Sequence, residues 1–105
     1  VNYYLTQLLS GHGYFGEYLH QRGLRQQPSC VYGDADIDDA EHTFFSCTQW
    51  QAERELLKSQ IDGIWRPQNV AKLLVRNEQN WTLIMRHVEK ILRRKKRRLD
   101  AGEMM

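Results

Sequence analysis

The sequence contains few of the features that mark a secreted or membrane protein. It has only two cysteines and two prolines in 105 residues, and two cysteines are too few for a disulfide scaffold. No apolar run approaches the roughly 20 residues of a membrane-spanning helix, and the start lacks the basic and apolar segments of a secretory signal. We therefore expect a soluble, intracellular protein of the nucleus and cytoplasm, with reduced thiols and no membrane partner.

The length fits one domain, and an apolar fraction of 41% is compatible with a folded core. Because the chain begins with Val1 rather than methionine, we interpret it as a fragment of a longer protein. We expect a single helical module over residues 1–105. Residues 1–65 contain both cysteines, and residues 66–105 form the last helices and a basic tail.

Apolar residues recur at helical spacing over most of the chain. The pattern predicts helices over residues 1–9, 14–22, 50–60, 68–76 and 79–99. Thr48 is a possible N-cap of the third helix, and Leu56 is one of its expected buried positions. Residues 25–41 are rich in polar residues, glycine and proline, which is typical of a loop. The sequence therefore predicts a mostly α fold, a small helical domain with an irregular Cys/His loop or short hairpin and a long C-terminal basic helix.

Charge is distributed unevenly along the chain. Residues 1–47 carry two basic and six acidic side chains, so the positive excess lies in the remainder. Most of it comes from six consecutive residues, Arg93, Arg94, Lys95, Lys96, Arg97 and Arg98. Such a run favours contact with the phosphates of RNA or DNA, whereas a solvated helix end or a nuclear-localisation peptide are the alternatives. We expect the first half of the last helix to pack on the body and this second half to project into solvent.

Cys30, His42 and Cys47 form a candidate metal-binding set. Zinc prefers four ligands drawn mainly from thiolates and imidazoles, and Phe44 and Phe45 could seat such a site against the core. No second cysteine follows closely behind Cys30. The alternatives are two buried thiols, a disulfide between the two cysteines, or a core histidine hydrogen-bonded to a carbonyl.

Several segments resemble one known family. They are LTQLLSGHGYF at residues 5–15, Tyr18-Leu19, Cys30, and DAEHTFFSC at residues 39–47 followed by Trp50. Together they are similar to the C-terminal region of LINE-type (non-LTR) retrotransposon reverse transcriptase polyproteins. In that family this region follows the reverse transcriptase domain and contains a zinc knuckle. The resemblance covers about residues 4–50, and the match is weaker beyond Trp50.

The resemblance implies that Cys30, His42 and Cys47 are three zinc ligands. The family's second cysteine falls at Tyr32 or Gly33, neither of which is an ordinary zinc ligand. Among substitutes for the fourth ligand, His12 is the first choice, followed by Asp34 and then water. His12 also has an interpretation as a turn residue that ends the first helix, because it lies between two glycines.

The resemblance also implies a function. We expect a non-catalytic accessory module that binds RNA or DNA for a retrotransposon reverse transcriptase. The alternative is a structural, protein-interaction or dimerisation module with a vestigial zinc knuckle. Its partner would then be the parent polymerase domain or a second copy of the chain.

A catalytic role has little support in the residues. Polymerases and nucleases of this type hold two metals on clustered carboxylates of a sheet, and the sequence contains no β-rich framework. Asp34, Asp36, Asp38 and Asp39 lack the spacing of a calcium loop, and we expect them in a solvated loop. We therefore predict no catalytic residues, the polymerase activity belonging to an upstream part of the polyprotein.

Overall fold

The computed structural model describes residues 3–103, which form α-helices joined by loops and short helical turns. In chain order the helices are α1 (Tyr3–Ser10), α2 (Gly16–Gln21), α3 (Gln51–Gln60), α4 (Val70–Arg76) and α5 (Glu78–Glu103). A π-helical turn (His42–Ser46) and two 3-10 turns (Thr48–Trp50 and Pro67–Asn69) lie between them. These residues form no strand, so the predicted mostly α fold is confirmed, with a loop in place of the possible hairpin.

The longest helix, α5, is the element on which the others pack. No glycine or proline interrupts it between Glu78 and Ala101, and α1, α3 and α4 all contact it. Its 26 residues correspond to about 39 Å at the usual rise per residue. The longest dimension of the molecule is 42 Å, so α5 runs along nearly the whole body. Within residues 3–103, no helix combines the length and apolar character needed to cross a membrane.

The apolar face of α5 continues through its second half. Ile84 in the first half is fully buried, and so are Ile91 and Leu92, while Leu99 is 4% exposed. The prediction that the second half projects into solvent is therefore wrong. Positions 91, 92, 95 and 99 keep the three- and four-residue spacing that turns one side of a helix towards the body.

Aromatic side chains join the π-helical turn to the rest of the core. Phe44 is fully buried, and its ring meets that of Phe15 edge to face with centroids 6.0 Å apart. The Trp65 indole N–H donates to the Phe44 carbonyl at 2.9 Å, and the Trp65 ring stacks on Phe45 at 4.7 Å. Trp65, outside the clearest core pattern of the sequence, is 5% exposed. Phe44 and Phe45 thus seat this turn against the core, as the sequence suggested.

Details near the helix ends differ from the predictions. Thr48 belongs to a 3-10 turn and does not cap α3, which follows Trp50 without a side-chain cap. Leu56 is 56% exposed, whereas Leu57 is buried, because the inward face of α3 passes through Leu57 and not through its neighbour. The predicted start of the first helix at Val1 lies outside the described residues.

Candidate metal centre and basic surface

The loop that contains Cys30 folds back on itself within six residues. The Cys30 amide donates to the Ala35 carbonyl at 2.9 Å, and the Gly33 amide donates to the Cys30 carbonyl at 3.0 Å. Gly33 has a φ of 79°, in the left-handed region that favours glycine. This turn buries the Cys30 side chain and places Asp34 beside the residues that follow the π-helical turn.

Cys30, His42 and Cys47 come together at the end of this loop. Their ligand atoms all lie within 4.8 Å of one another, and the two Sγ atoms are 3.9 Å apart. The π-helical turn pairs the last two residues, since the Cys47 amide donates to the His42 carbonyl at 2.7 Å. Both thiols are free and buried, and at 3.9 Å their sulfurs are too far apart to be bonded to each other.

The geometry of this cluster fits one metal ion. Two thiolates bound to a tetrahedral zinc ion at about 2.3 Å lie about 3.8 Å apart, close to the 3.9 Å between Cys30 and Cys47. The His42 Nε2 atom is buried and has no hydrogen-bond partner among residues 3–103. Because buried polar atoms are normally satisfied, a bound ion would supply what this nitrogen lacks. The three side chains could therefore hold a metal ion.

Burial sets the protonation of the Cys47 thiol. It raises the pKa of Cys47 to about 11, and the neighbouring Cys30 thiol also raises it. The thiol therefore keeps its proton at neutral pH when no cation is nearby. Metal ions bind thiolates and displace that proton, so loading of this cluster should release protons.

Asp34 lies at the edge of the cluster. Its Oδ1 accepts a hydrogen bond from the Thr48 hydroxyl at 2.7 Å, and its Oδ2 accepts one from the Thr48 amide at 3.2 Å. These bonds hold the pKa of Asp34 below its ordinary value. The same Oδ2 is 3.6 Å from His42 Nε2, too far for a hydrogen bond.

The structure does not bring His12 to the other three candidate ligands. Its amide donates to the Ser10 hydroxyl at 3.1 Å, and its ring stacks on Tyr18 with centroids 4.7 Å apart. Tyr32 also has a structural contact, since its ring meets Trp50 edge to face at 5.5 Å. The first-choice fourth ligand therefore packs elsewhere, in the turn after α1.

Asp38 joins the acidic loop to α5. Its carboxylate accepts hydrogen bonds from the Gly16 amide at 2.9 Å, the Thr43 hydroxyl at 2.9 Å and the Lys95 ammonium at 2.5 Å. Lys95 also donates to the Thr43 hydroxyl at 2.8 Å. The expectation of a solvated acidic loop is therefore wrong at Asp38. Lys95, predicted to contact nucleic acid, has its ammonium in the interior with these partners instead.

The other five members of the basic run are exposed, namely Arg93, Arg94, Lys96, Arg97 and Arg98. Two of them are paired along the helix, Arg93 with Glu89 at 3.1 Å and Lys96 with Asp100 at 2.8 Å. Among residues 3–103 no acidic side chain forms an ion pair with Arg94, Arg97 or Arg98. These three guanidinium groups are the least neutralised part of the run.

The exposed basic surface extends further along α5 than the run itself. Arg86 and Lys90 are both exposed. Arg86 lies about two helical turns before Arg94, and Lys90 lies about one turn before it. Residues spaced by three or four positions share one side of a helix, so Arg86, Lys90, Arg94 and Arg97 form what we call the basic stripe. The first two members lie outside the run of consecutive charges from which the basic tail was predicted. The four-residue spacing of Arg86, Lys90 and Arg94 is the signal in the sequence that points to them.

Half of the chain is similar to a retrotransposon protein. Over 53 residues it is 36% identical to the "Retrovirus-related Pol polyprotein from type-1 retrotransposable element R1 2" of Nasonia vitripennis. The match covers 50% of this chain and 13% of that polyprotein, so the chain spans only a small part of its relative. No protein-family model and no solved structure matches the chain. The similarity supports a retrotransposon-derived region, in agreement with the resemblance found in the sequence.

Proposed function

We propose that this chain is a non-catalytic, nucleic-acid-binding accessory module of a retrotransposon polyprotein. The observation that carries the proposal is the basic stripe, whose members Arg94 and Arg97 are exposed and form no ion pair in the described part of the chain. The similarity to a Pol polyprotein makes RNA or DNA the natural polyanion. The stripe is suited to phosphates because guanidinium groups donate in a planar fork to their oxygens.

The length of the basic stripe suits contact with the phosphate backbone of a nucleic acid. Arg86 and Arg97 are 11 positions apart, which corresponds to about 16 Å along a helix. A nucleic acid strand carries one phosphate per roughly 3.4 Å of duplex axis, so several phosphates fit along this length. Contacts of this kind neutralise charge and read little sequence. We expect binding that depends steeply on salt and weakly on base sequence.

The acidic residues of the loop support a non-catalytic role. Asp38 pairs with Lys95, Asp34 accepts two bonds from Thr48, and the Asp39 carboxylate accepts the His42 amide at 2.7 Å. These three carboxylates thus have structural partners, whereas Asp36 is exposed. Metal-dependent polymerases and nucleases instead use carboxylates that converge on two ions.

The binding test compares two double variants with the same loss of charge. Fluorescence anisotropy would follow labelled single- and double-stranded RNA and DNA from low to moderate salt. Arg94→Gln with Arg97→Gln removes unpaired guanidinium groups, and we expect the salt slope on duplex DNA to fall by about two. Arg93→Gln with Lys96→Gln removes the paired groups and should change binding less. Equal losses would indicate attraction to net charge alone, and no salt-sensitive binding by the unaltered chain would refute the proposal.

We also propose that the cluster of Cys30, His42 and Cys47 holds a structural zinc ion. Its donor set of two sulfurs and one nitrogen suits zinc, and its Sγ–Sγ distance of 3.9 Å fits a tetrahedral site. The ion would fix the loop against the π-helical turn. Native mass spectrometry of protein purified under reducing conditions should find one zinc per chain. Cys47→Ser should lose it, and a metal-free unaltered chain would exclude it.

A protein-interaction role is the second candidate function. Val75 on α4 is 81% exposed and Trp81 on α5 is 41% exposed, and large exposed apolar side chains can mark contact surfaces. The partner would be the parent polymerase domain or a second copy of the chain. Light scattering over a range of concentrations tests the second copy. A dimer mass that Trp81→Gln abolishes would support it, and a monomer throughout would exclude it.

A further inference from the structure

We propose that Asp34 completes the metal site by binding the ion through its Oδ2 atom, which gives a tetrahedral site of two sulfurs, one nitrogen and one oxygen. The inference rests on the zinc binding proposed above. It adds a residue that lies outside the cluster of Cys30, His42 and Cys47. It also removes the need for a distant fourth side chain.

The distance between Asp34 and His42 is the main argument. Asp34 Oδ2 lies 3.6 Å from His42 Nε2. Nitrogen and oxygen ligands bound to one tetrahedral zinc ion at about 2.0–2.1 Å are roughly 3.4 Å apart. These two atoms thus need to move by only a few tenths of an ångström relative to each other. Asp34 is not among the residues whose ligand atoms all lie within 4.8 Å of one another, so its carboxylate would also have to move towards the sulfurs when the ion binds.

The surroundings of His42 point to the same position. The His42 side chain is 10% exposed, and its Nε2 has no hydrogen-bond partner in the described residues. A buried imidazole nitrogen that has neither a hydrogen-bond partner nor a bound ion is unfavourable. Asp34 Oδ2 lies 3.6 Å from this nitrogen, so the carboxylate could supply an oxygen ligand to an ion bound to Nε2.

Thr48 holds the carboxylate in a suitable orientation. The short bond of 2.7 Å from the Thr48 hydroxyl is to Oδ1, whereas Oδ2 accepts only the longer bond of 3.2 Å from the Thr48 amide. Oδ2 therefore keeps an acceptor direction for a metal. Hydrogen bonds to the other oxygen of a ligating carboxylate orient it and strengthen metal binding. Thr48 follows Cys47 directly, so one short segment would provide a thiolate ligand and the outer support for Asp34.

The experiment measures metal coordination directly. Cobalt(II) replaces zinc in the reduced full chain, and its visible spectrum and its displacement by zinc give geometry and affinity. Asp34→Asn should weaken binding by about tenfold or more and alter the cobalt ligand-field bands. Asp34→Cys should add thiolate-to-cobalt charge-transfer intensity, because three thiolates would replace two. The matched control is Asp36→Asn, which changes an exposed carboxylate of the same loop and should leave both measurements unchanged.

The outcomes separate this inference from the zinc proposal. If Cys47→Ser abolishes binding but Asp34→Asn and Asp34→Cys keep the unaltered spectrum and affinity, the Asp34 assignment is refuted while zinc binding stands. If the unaltered chain binds no cobalt or zinc, both proposals fail. Helical circular dichroism of each variant shows whether it has folded. Should Asp34→Asn be unfolded, the spectrum of Asp34→Cys decides, because an added thiolate band requires residue 34 to lie beside the ion.

Discussion

The Lys95 ammonium lies 2.5 Å from the Asp38 carboxylate, and both side chains are 1% exposed. The pair connects the acidic loop to α5 across 57 positions of sequence. Thr43 bonds to both partners, and the ammonium also lies 5.4 Å from the centre of the Phe15 ring. A buried ion pair of this kind contributes modestly in net terms, because its burial removes two charges from water. Removal of one partner alone is strongly destabilising, because it leaves the other charge buried without a countercharge.

Lys95→Met should destabilise the fold by about 3–5 kcal/mol, since it leaves the Asp38 carboxylate buried without its countercharge. Urea unfolding followed by circular dichroism measures this change. The control is Arg94→Met on the adjacent exposed position, which should alter the free energy of unfolding by no more than about 0.5 kcal/mol. Similar small changes in both variants would show that the ion pair does not form.

Adding Asp38→Asn to Lys95→Met should recover part of the lost stability. The double variant has no uncompensated buried charge, so its free energy of unfolding should exceed that of Lys95→Met alone. The comparison is a double-mutant cycle with the two single variants. If the two effects simply add, the residues are not coupled.

The stability of the chain should fall between pH 6.5 and pH 4 through His87. This side chain is 7% exposed, and burial, with lesser effects from the positive charges of Arg54 and Lys90, lowers its pKa from 6.5 to about 4. In this window the unfolded chain binds a proton that the folded chain does not. Protonation therefore favours unfolding as the pH falls, by up to about 3 kcal/mol.

His87→Gln isolates this effect because glutamine does not titrate. Denaturant unfolding at pH 7 and pH 4.5 gives the loss of stability for each protein. The loss should be smaller in the variant by about 2–3 kcal/mol. Parallel pH dependences of the two proteins would mean that another group is responsible. Both should be measured with chelator present, so that metal release does not contribute.

Removal of metal should loosen the loop before it affects α5. The Cys30 and Gly33 amides are bonded within the turn that the ion would hold, and a ligand that binds only the folded state stabilises it. Hydrogen exchange should therefore accelerate over residues 30–47 on addition of a chelator, while the amides of Ile91 and Leu92 remain protected. Cys47→Ser should exchange fast in the loop with or without chelator. A chelator effect that persists in this variant would count against the assigned ligands.

The periodicity of the sequence predicted where the helices lie, but it did not predict which polar side chains contact each other across the fold. Ile84, Ile91 and Leu92 lie on one side of α5 at the spacing that the sequence displays. The same spacing reaches Lys95, but a lysine there resembles any other member of a basic run. Only the position of Asp38 in the folded chain shows that Lys95 is internal. A contact between residues 57 positions apart produces no local pattern in the sequence.

The sequence predicted part of the candidate metal site. Residue type and family resemblance identified Cys30, His42 and Cys47, and the structure brings these three together. The sequence ranked His12 first as a fourth ligand, ahead of Asp34 and water. In the folded chain Asp34 lies 3.6 Å from His42, in the loop that turns at Gly33, whereas His12 stacks on Tyr18. Ligand spacing in the sequence does not contain these backbone turns.

The packing of one face of the second half of α5 against the body determines how readily a protease can cut this segment. Six successive basic residues, Arg93 to Arg98, would be cut at once by trypsin if they formed an extended tail. In the folded chain Leu92, Lys95 and Leu99 are buried, so the peptide bonds between them are held in a helix that a protease cannot easily unwind. Cleavage within this segment therefore requires the core itself to open. The stretch that looks most sensitive to trypsin in the sequence should be cut only in the fraction of molecules in which this part of the core has opened.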